Sequence, residues 1–241
     1  MITAPFLTSD RLDRRQATGC GRERRATSQR RLRIAMNDAT LDDRYAGEAQ
    51  LLSAFAEAGF SVSSVAEIRS QYDSLPNALA ELLLEWIPRL EDRRLQESVV
   101  WVLLGAPKGT LSGTTLAEVF DAATSDELKR AIAAVIHQTR LRDIDEWLLV
   151  AVRDRRSGNA RGLLAAAVAK MLPAERAVPV LIEVFHDAPL AAVHPLGKVG
   201  DRRVRDLLAA NQPTATGPLR RELRQAIARI ERRLAKAERR G

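Results

Sequence analysis

Arg176–Leu208 reads RAVPVLIEVFHDAPLAAVHPLGKVGDRRVRDLL. Apolar residues three and four apart predict a helix over Ala177–Phe185, an Asp187-Ala188-Pro189 turn, and a second helix of small residues over Leu190–Val199. The start of a third helix follows Gly200-Asp201, at Arg202. A pair of short helices cannot cover its own apolar faces, so this stretch predicts one unit of a stack rather than a domain.

The same order recurs upstream. Leu51, Leu52, Phe55 and Ala58 form a stripe that stops at Gly59, and a short helix follows around Ser64–Ser70. The first pair begins at Ser74-Leu75-Pro76 with an apolar face of Leu79, Leu82, Leu83, Trp86, Ile87 and Leu90, Pro88 bending or ending its last turn. Its partner, Leu95–Leu104, contains the run Val99–Leu104, which is apolar all round and must be covered on both sides. The second pair joins Thr115–Ala123 to Asp126–Gln138, with Thr124 and Glu127 at capping-box spacing. The third joins Asp143–Val152 to Ala160–Leu172, where Asp143 and Glu146 repeat that capping pattern. The fourth is the quoted stretch, and the fifth joins Arg202–Ala210 to Leu219–Leu234.

Second-helix centres at Val102, Ala134, Ala167 and Val193 are 32, 33 and 26 residues apart. Steps this regular predict units stacked side by side, the last needing a polar outer face. The expected fold is therefore all-α, an α-α superhelix of about five antiparallel helix pairs over residues 43–235. Residues 219–235 form its cap, and 236–241 a basic tail.

Ala177-Val178-Pro179-Val180-Leu181-Ile182 and Leu196-Gly197-Lys198-Val199-Gly200-Asp201 resemble HEAT repeats of the short bacterial type, the group that includes phycobilisome-lyase HEAT-like repeats. The resemblance is good over 141–210, weaker over 74–140 and absent before 43. It implies an armadillo-like superhelix and says little about activity. Pro195 departs from it, standing where the family usually has a small residue, and predicts a kinked helix.

Aromatic residues make up 4% of the chain, which suits closely packed helices better than a β-rich core. The net charge of +7 is uneven. Residues 1–35 carry nine Arg against three acids, and residues 219–241 carry nine Lys or Arg against three acids, each segment netting +6. The centre, 36–218, nets −5. Residues 1–35 lack a helical period and are expected to be a disordered basic tail, either a solvated segment, a nucleic-acid-binding arm, or sequence upstream of a true start at Met36. Arg outnumbers Lys 33 to 5, which together with the Ala content suggests a GC-rich bacterial source. The lone Cys20 allows no intrachain disulfide. The longest apolar run, Val99–Leu104, is far short of the roughly 18 residues of a membrane helix. A cytoplasmic setting without membrane contact is expected.

No metal, cofactor or small-molecule site is expected. His137, His186 and His194 are scattered; His186 and His194 approach across one turn, but two histidines near a turn fall short of a convergent ligand set. Gly105–Gly113 holds Lys108 without phosphate-loop spacing, and no Ser or His stands in a recognisable nucleophile context.

Arg153, Arg155, Arg156 and Arg161 cluster around the third turn, where they either grip phosphate or an acidic partner segment, or pair locally with Asp154 and Asp145. Trp86 and Trp147 lie on first-helix stripes and are expected in the core. Trp101, on a second helix, is the best candidate for an exposed anchor against burial in the core.

The expected function is a non-catalytic protein–protein interaction scaffold, with a partner on the concave second-helix surface touching Trp101, Arg153, Arg155, Arg156 and Arg161. The alternative is nucleic-acid binding through the Arg-rich turn and basic tails. In its resemblance-based form this is a HEAT-like alkylpurine DNA glycosylase, for which Trp101, Trp147, Asp154 and the Arg cluster are the raw material.

Overall fold

The computed structural model describes residues 47–139, 141 and 143–239, which belong, beyond Gly47, to a unit running from Glu48 to Gly241. The expectations for residues 1–35 and for Met36 lie outside the described residues. Among those described, all regular structure is helical.

The first helix, α1, covers 47–57. Its end is a Schellman turn: Gly59 has φ 86°, its N–H donates to the Ala56 carbonyl, and the Phe60 N–H donates back to Phe55 at 2.8 Å. Glycine adopts that left-handed conformation without steric cost. A short helix follows, α2 (Val65–Gln71), capped by the Ser64 hydroxyl.

Five pairs come next: α3 (Asn77–Trp86) with α4 (Arg93–Val102), α5 (Gly113–Ala122) with α6 (Asp126–Thr139), α7 (Asp145–Arg153) with α8 (Arg161–Met171), α9 (Ala174–Asp187) with α10 (Pro189–Val199), and α11 (Arg202–Asn211) with α12 (Gly217–Glu238). Single-turn 3₁₀ segments at Ile87–Arg89 and Leu103–Gly105 finish α3 and α4, and between α7 and α8 the residues Arg155–Ala160 form two short turns divided by a kink at Gly158, which has φ 49°.

Side-chain caps place several starts. Asp92 accepts from Leu95 N–H at 2.7 Å, Ser112 from Thr115 at 3.2 Å and Asp201 from Val204 at 3.0 Å. Each removes an orphan donor from a helix end, worth about 1 kcal/mol. For α6 the cap is Ser125, which accepts from Leu128, and not the expected Thr124. Asp143 does not cap α7 either; it has φ 62°, and the helix starts at Asp145 without a side-chain cap.

Within each pair the two helices touch, and the second helices also touch in sequence: α4 on α6, α6 on α8, α8 on α10, and α10 on α12. Between these rows runs one continuous core, from Leu51 and Phe55 through Leu83, Val99, Ile132, Ile136, Leu148, Leu164, Val168, Leu181, Val193 and Leu208 to Ile230. The apolar run Val99–Leu104 is buried as expected except at Trp101, which is 38% exposed, and at Leu104, which is partly buried.

The structure revises one helix end and places one proline. Residues assigned to a basic tail, 236–238, continue α12, and Glu238 pairs with Arg202 of α11 at 3.1 Å. Pro195 is buried inside α10, whose helical path runs unbroken from Pro189 to Val199. The missing Pro195 N–H leaves the Ala191 carbonyl without its usual helical donor, yet the packing of α10 on α8, α9 and α12 holds the helix together.

The helices α10 and α12 approach closely at Gly197, where an added Cβ would stand 2.9 Å from both Cα and Cβ of Ala226. Beside it Arg233 of α12 reaches across to finish α10. Its guanidinium donates to the carbonyls of Gly197 at 3.2 Å, Lys198 at 2.5 Å and Gly200, oxygens that have no donor within the last turn of a helix.

Candidate functional site

Three surfaces gather the residues singled out in the sequence. The first is the exposed side of the second helices. Trp101 lies on α4 among residues whose neighbours Leu95, Val99 and Val100 all face the core. Val99 lies about 160° and Leu95 about 120° round the helix from Trp101, which leaves the indole on the solvent side. The other two tryptophans are partly buried. Trp147 meets Phe120 edge to face with ring centroids 5.3 Å apart, and its Nε1–H donates to Asp121 at 3.0 Å. Trp86 has the Arg89 guanidinium 5.6 Å from its ring centre. Burying most of an indole while satisfying its single N–H is the ordinary core use of Trp.

The second surface is the turn after α7. Its arginines reach the next pair instead of staying local. Arg153 makes a two-pronged contact with Glu183 of α9, at 2.5 Å from Nε and 3.3 Å from Nη2. Arg155 and Arg161 share Asp187, each at 2.6 Å. Arg156 alone pairs within the turn, with Asp154 at 2.9 Å. Of the sequence-based local pairs, Arg156 with Asp154 is therefore present, while Asp145 is 3.5 Å from Arg176.

These contacts hold the carboxyls of Glu183, Asp154 and Asp187 below their ordinary range, in each case chiefly through the arginine hydrogen bond, against the opposing effect of burial. Arg161 is buried, and its Nε–H also donates to the Val152 carbonyl at 3.1 Å. It is thus a clasp between the ends of α7 and α9. Arg155 and Arg156 keep 82% and 88% of their side chains exposed, enough to meet a second ligand.

The third surface is a depression of about 300 Å³ lined by Phe120, Asp121, Lys129, Trp147, Asp154 and Arg156. It brings Trp147, Asp154 and Arg156 together, as the DNA-glycosylase alternative requires, whereas Trp101 lies on a different helix pair. Both carboxylates there are engaged, Asp121 by the indole and Asp154 by Arg156. A larger cavity of about 420 Å³, lined by Ile87, Pro88, Arg93, Val119, Thr124 and Leu128 among others, lies between the first and second pairs.

The histidines stay apart in role. His194 lies 3.3 Å from Arg229, and His186 stacks edge-on to Phe185. Burial first, then the nearby cations, lowers the affinity of His137 and His194 for a proton; Lys170 and Lys198 act on His137, and Arg229 and Lys198 on His194. Among the described residues no three His, Cys, Asp or Glu converge as metal ligands, and no helix is long and apolar enough to cross a membrane.

Sequence reasoning missed the ion pairs that cross from one helix pair to the next. They had a signal: Arg153–Glu183 and Arg176–Glu146 are 30 residues apart, and Arg161–Asp187 26, close to the repeat step. No family model, curated protein or solved structure matches the chain.

Proposed function

We propose that the protein is a non-catalytic interaction scaffold. Its helix pairs follow a HEAT-like superhelical plan, and its second helices form the concave surface on which a protein partner binds. The observation that carries this reading is Trp101, a large aromatic exposed on the row of second helices that pack in sequence from α4 to α12. Tryptophan is a frequent anchor of protein interfaces, because it adds a large contact area with few rotatable bonds. Arg153, Arg155 and Arg156 supply charged contacts near the third turn, while Arg161 supports that turn from within.

The full chain, used as bait, is expected to retain a specific protein partner. Trp101→Ala should weaken that complex about thirtyfold, which corresponds to a hot-spot loss of about 2 kcal/mol. Because the indole is 38% exposed and otherwise covered, the same change should also lower the unfolding midpoint somewhat, so binding is compared at a temperature where circular dichroism shows the variant folded. Retention of the partner at unaltered affinity by Trp101→Ala, or substrate turnover by the purified chain, would overturn the proposal.

A further inference from the structure

The solvent face of α12, at the far end of the row of second helices from Trp101, carries a cationic stripe. Leu223, Ala226 and Ile230 bury one side of this helix against α10 and α11. At 100° per residue the opposite side is formed by Arg221, Arg224, Gln225, Ala228, Arg232, Lys236 and Arg239, all exposed. Arg229 borders it and leads to His194 and Lys198 of α10.

From Arg221 to Arg239 the stripe is about 27 Å long. The three acids of α12 lie off its centre: Glu222 is 3.9 Å from Arg221, Glu238 is paired with Arg202, and Glu231 occupies a flank. Among the described residues Arg224, Arg232 and Lys236 have no ion pair, in contrast to the arginines of the third turn, which are each matched to a carboxylate.

We infer that this stripe binds the phosphate backbone of a nucleic acid. Charge complementarity requires a polyanion, and the length suits one: about 27 Å runs beside roughly eight base pairs of duplex. The stripe offers no apolar side chain larger than Ala228, and so has no anchor for a protein hot spot. Phosphate binding requires none, since counterion release alone supplies affinity, and a guanidinium matches two phosphate oxygens at once. The stripe lies on α12 at one end of the row of second helices and Trp101 on α4 at the other, so substitutions in one leave the other intact and the two readings stand or fall independently.

The test is fluorescence anisotropy of a labelled 20-base-pair DNA duplex titrated with the full chain between 50 and 200 mM salt. Arg221→Gln/Arg224→Gln/Arg232→Gln should weaken binding at least tenfold at the lower salt. It should also reduce the slope of log affinity against log salt by about 2.7, or 0.9 for each lost phosphate contact. The single change Arg224→Gln, at an exposed position without an ion pair, should lose about threefold and keeps the test valid if the triple variant unfolds.

Replacing Arg14, Arg15, Arg24, Arg25, Arg30 and Arg31 with Gln separates the N-terminal segment; the α12 effect should persist in that background. The inference is overturned if the α12 variants bind within twofold of the parent, or if binding vanishes with the N-terminal replacements alone. It is equally overturned if poly-glutamate or anionic vesicles compete as well as DNA at equal charge.

Discussion

Arg161 shows how a residue type that suggests a binding site can serve the fold instead. The sequence places it in a cluster of four arginines, and nothing in that spacing distinguishes it from Arg156. The structure separates them: Arg161 is buried, donates to the last turn of α7 and pairs with Asp187 at the end of α9, whereas Arg156 is largely in water. Removing a buried guanidinium leaves the Val152 carbonyl without its donor, so Arg161→Met should cost about 2 kcal/mol in urea unfolding. Arg156→Gln should remain within about 0.5 kcal/mol of the parent. Equal effects of the two changes would show that Arg161 is no clasp. The distinction was illegible in the sequence because burial depends on which carboxylate lies one repeat away. That offset becomes meaningful only once the pairs are known to stack in order.

At the scale of the element, the fourth pair was the most legible part of the chain and also hid the most. Its helices were expected within a few residues of their observed ends, because the three-and-four spacing of Val180, Leu181, Val184 and Phe185 allows no other period. What the Leu196-Gly197-Lys198 motif does was not visible. At Gly197 α10 and α12 approach closely, and a methyl there would press on the Ala226 backbone at 2.9 Å. Gly197→Ala should therefore cost about 1–3 kcal/mol as overpacking, more than enough to outweigh alanine's better helix propensity. In a double-mutant cycle Ala226→Gly should recover part of that loss, since the intruding methyl meets the Ala226 Cβ as well; strict additivity would mean the helices do not meet there. Pro195, which the sequence marked as a kink, sits inside a continuous α10 that packs on three neighbouring helices. Local propensity was overridden by tertiary contact.

On the scale of the whole molecule, the helical class and the pairs from α3 to α12 were readable because they rest on periodicity, which is local. The surfaces were not, because their character depends on which charges meet across pairs. The same charges set the response to acid. His137 and His194 take up a proton less readily when folded, so the unfolded chain binds more protons below its ordinary histidine value of about 6.5 and stability falls as pH drops from there. Glu183, Asp154 and Asp187 are held ionised by arginines, so their contribution is present above about pH 4 and is lost as pH falls through their lowered values. The thermal midpoint should decline gently between about pH 6.5 and 5 and steeply below about pH 4. His137→Gln/His194→Gln should flatten the first phase alone, and an unchanged midpoint between pH 7 and 5 in the parent would contradict it.

Arg233 adds an order in time to this arrangement. The carbonyls that it closes belong to residues 33 to 36 positions earlier. In a chain emerging from the ribosome, the last turn of α6 waits in the same way for Lys170 of α8, whose ammonium donates to the His137 and Gln138 carbonyls. The oxygens of the last turn of α10 stay exposed to water until α12 is released and docks. The fourth and fifth pairs therefore mature together as a final step of synthesis.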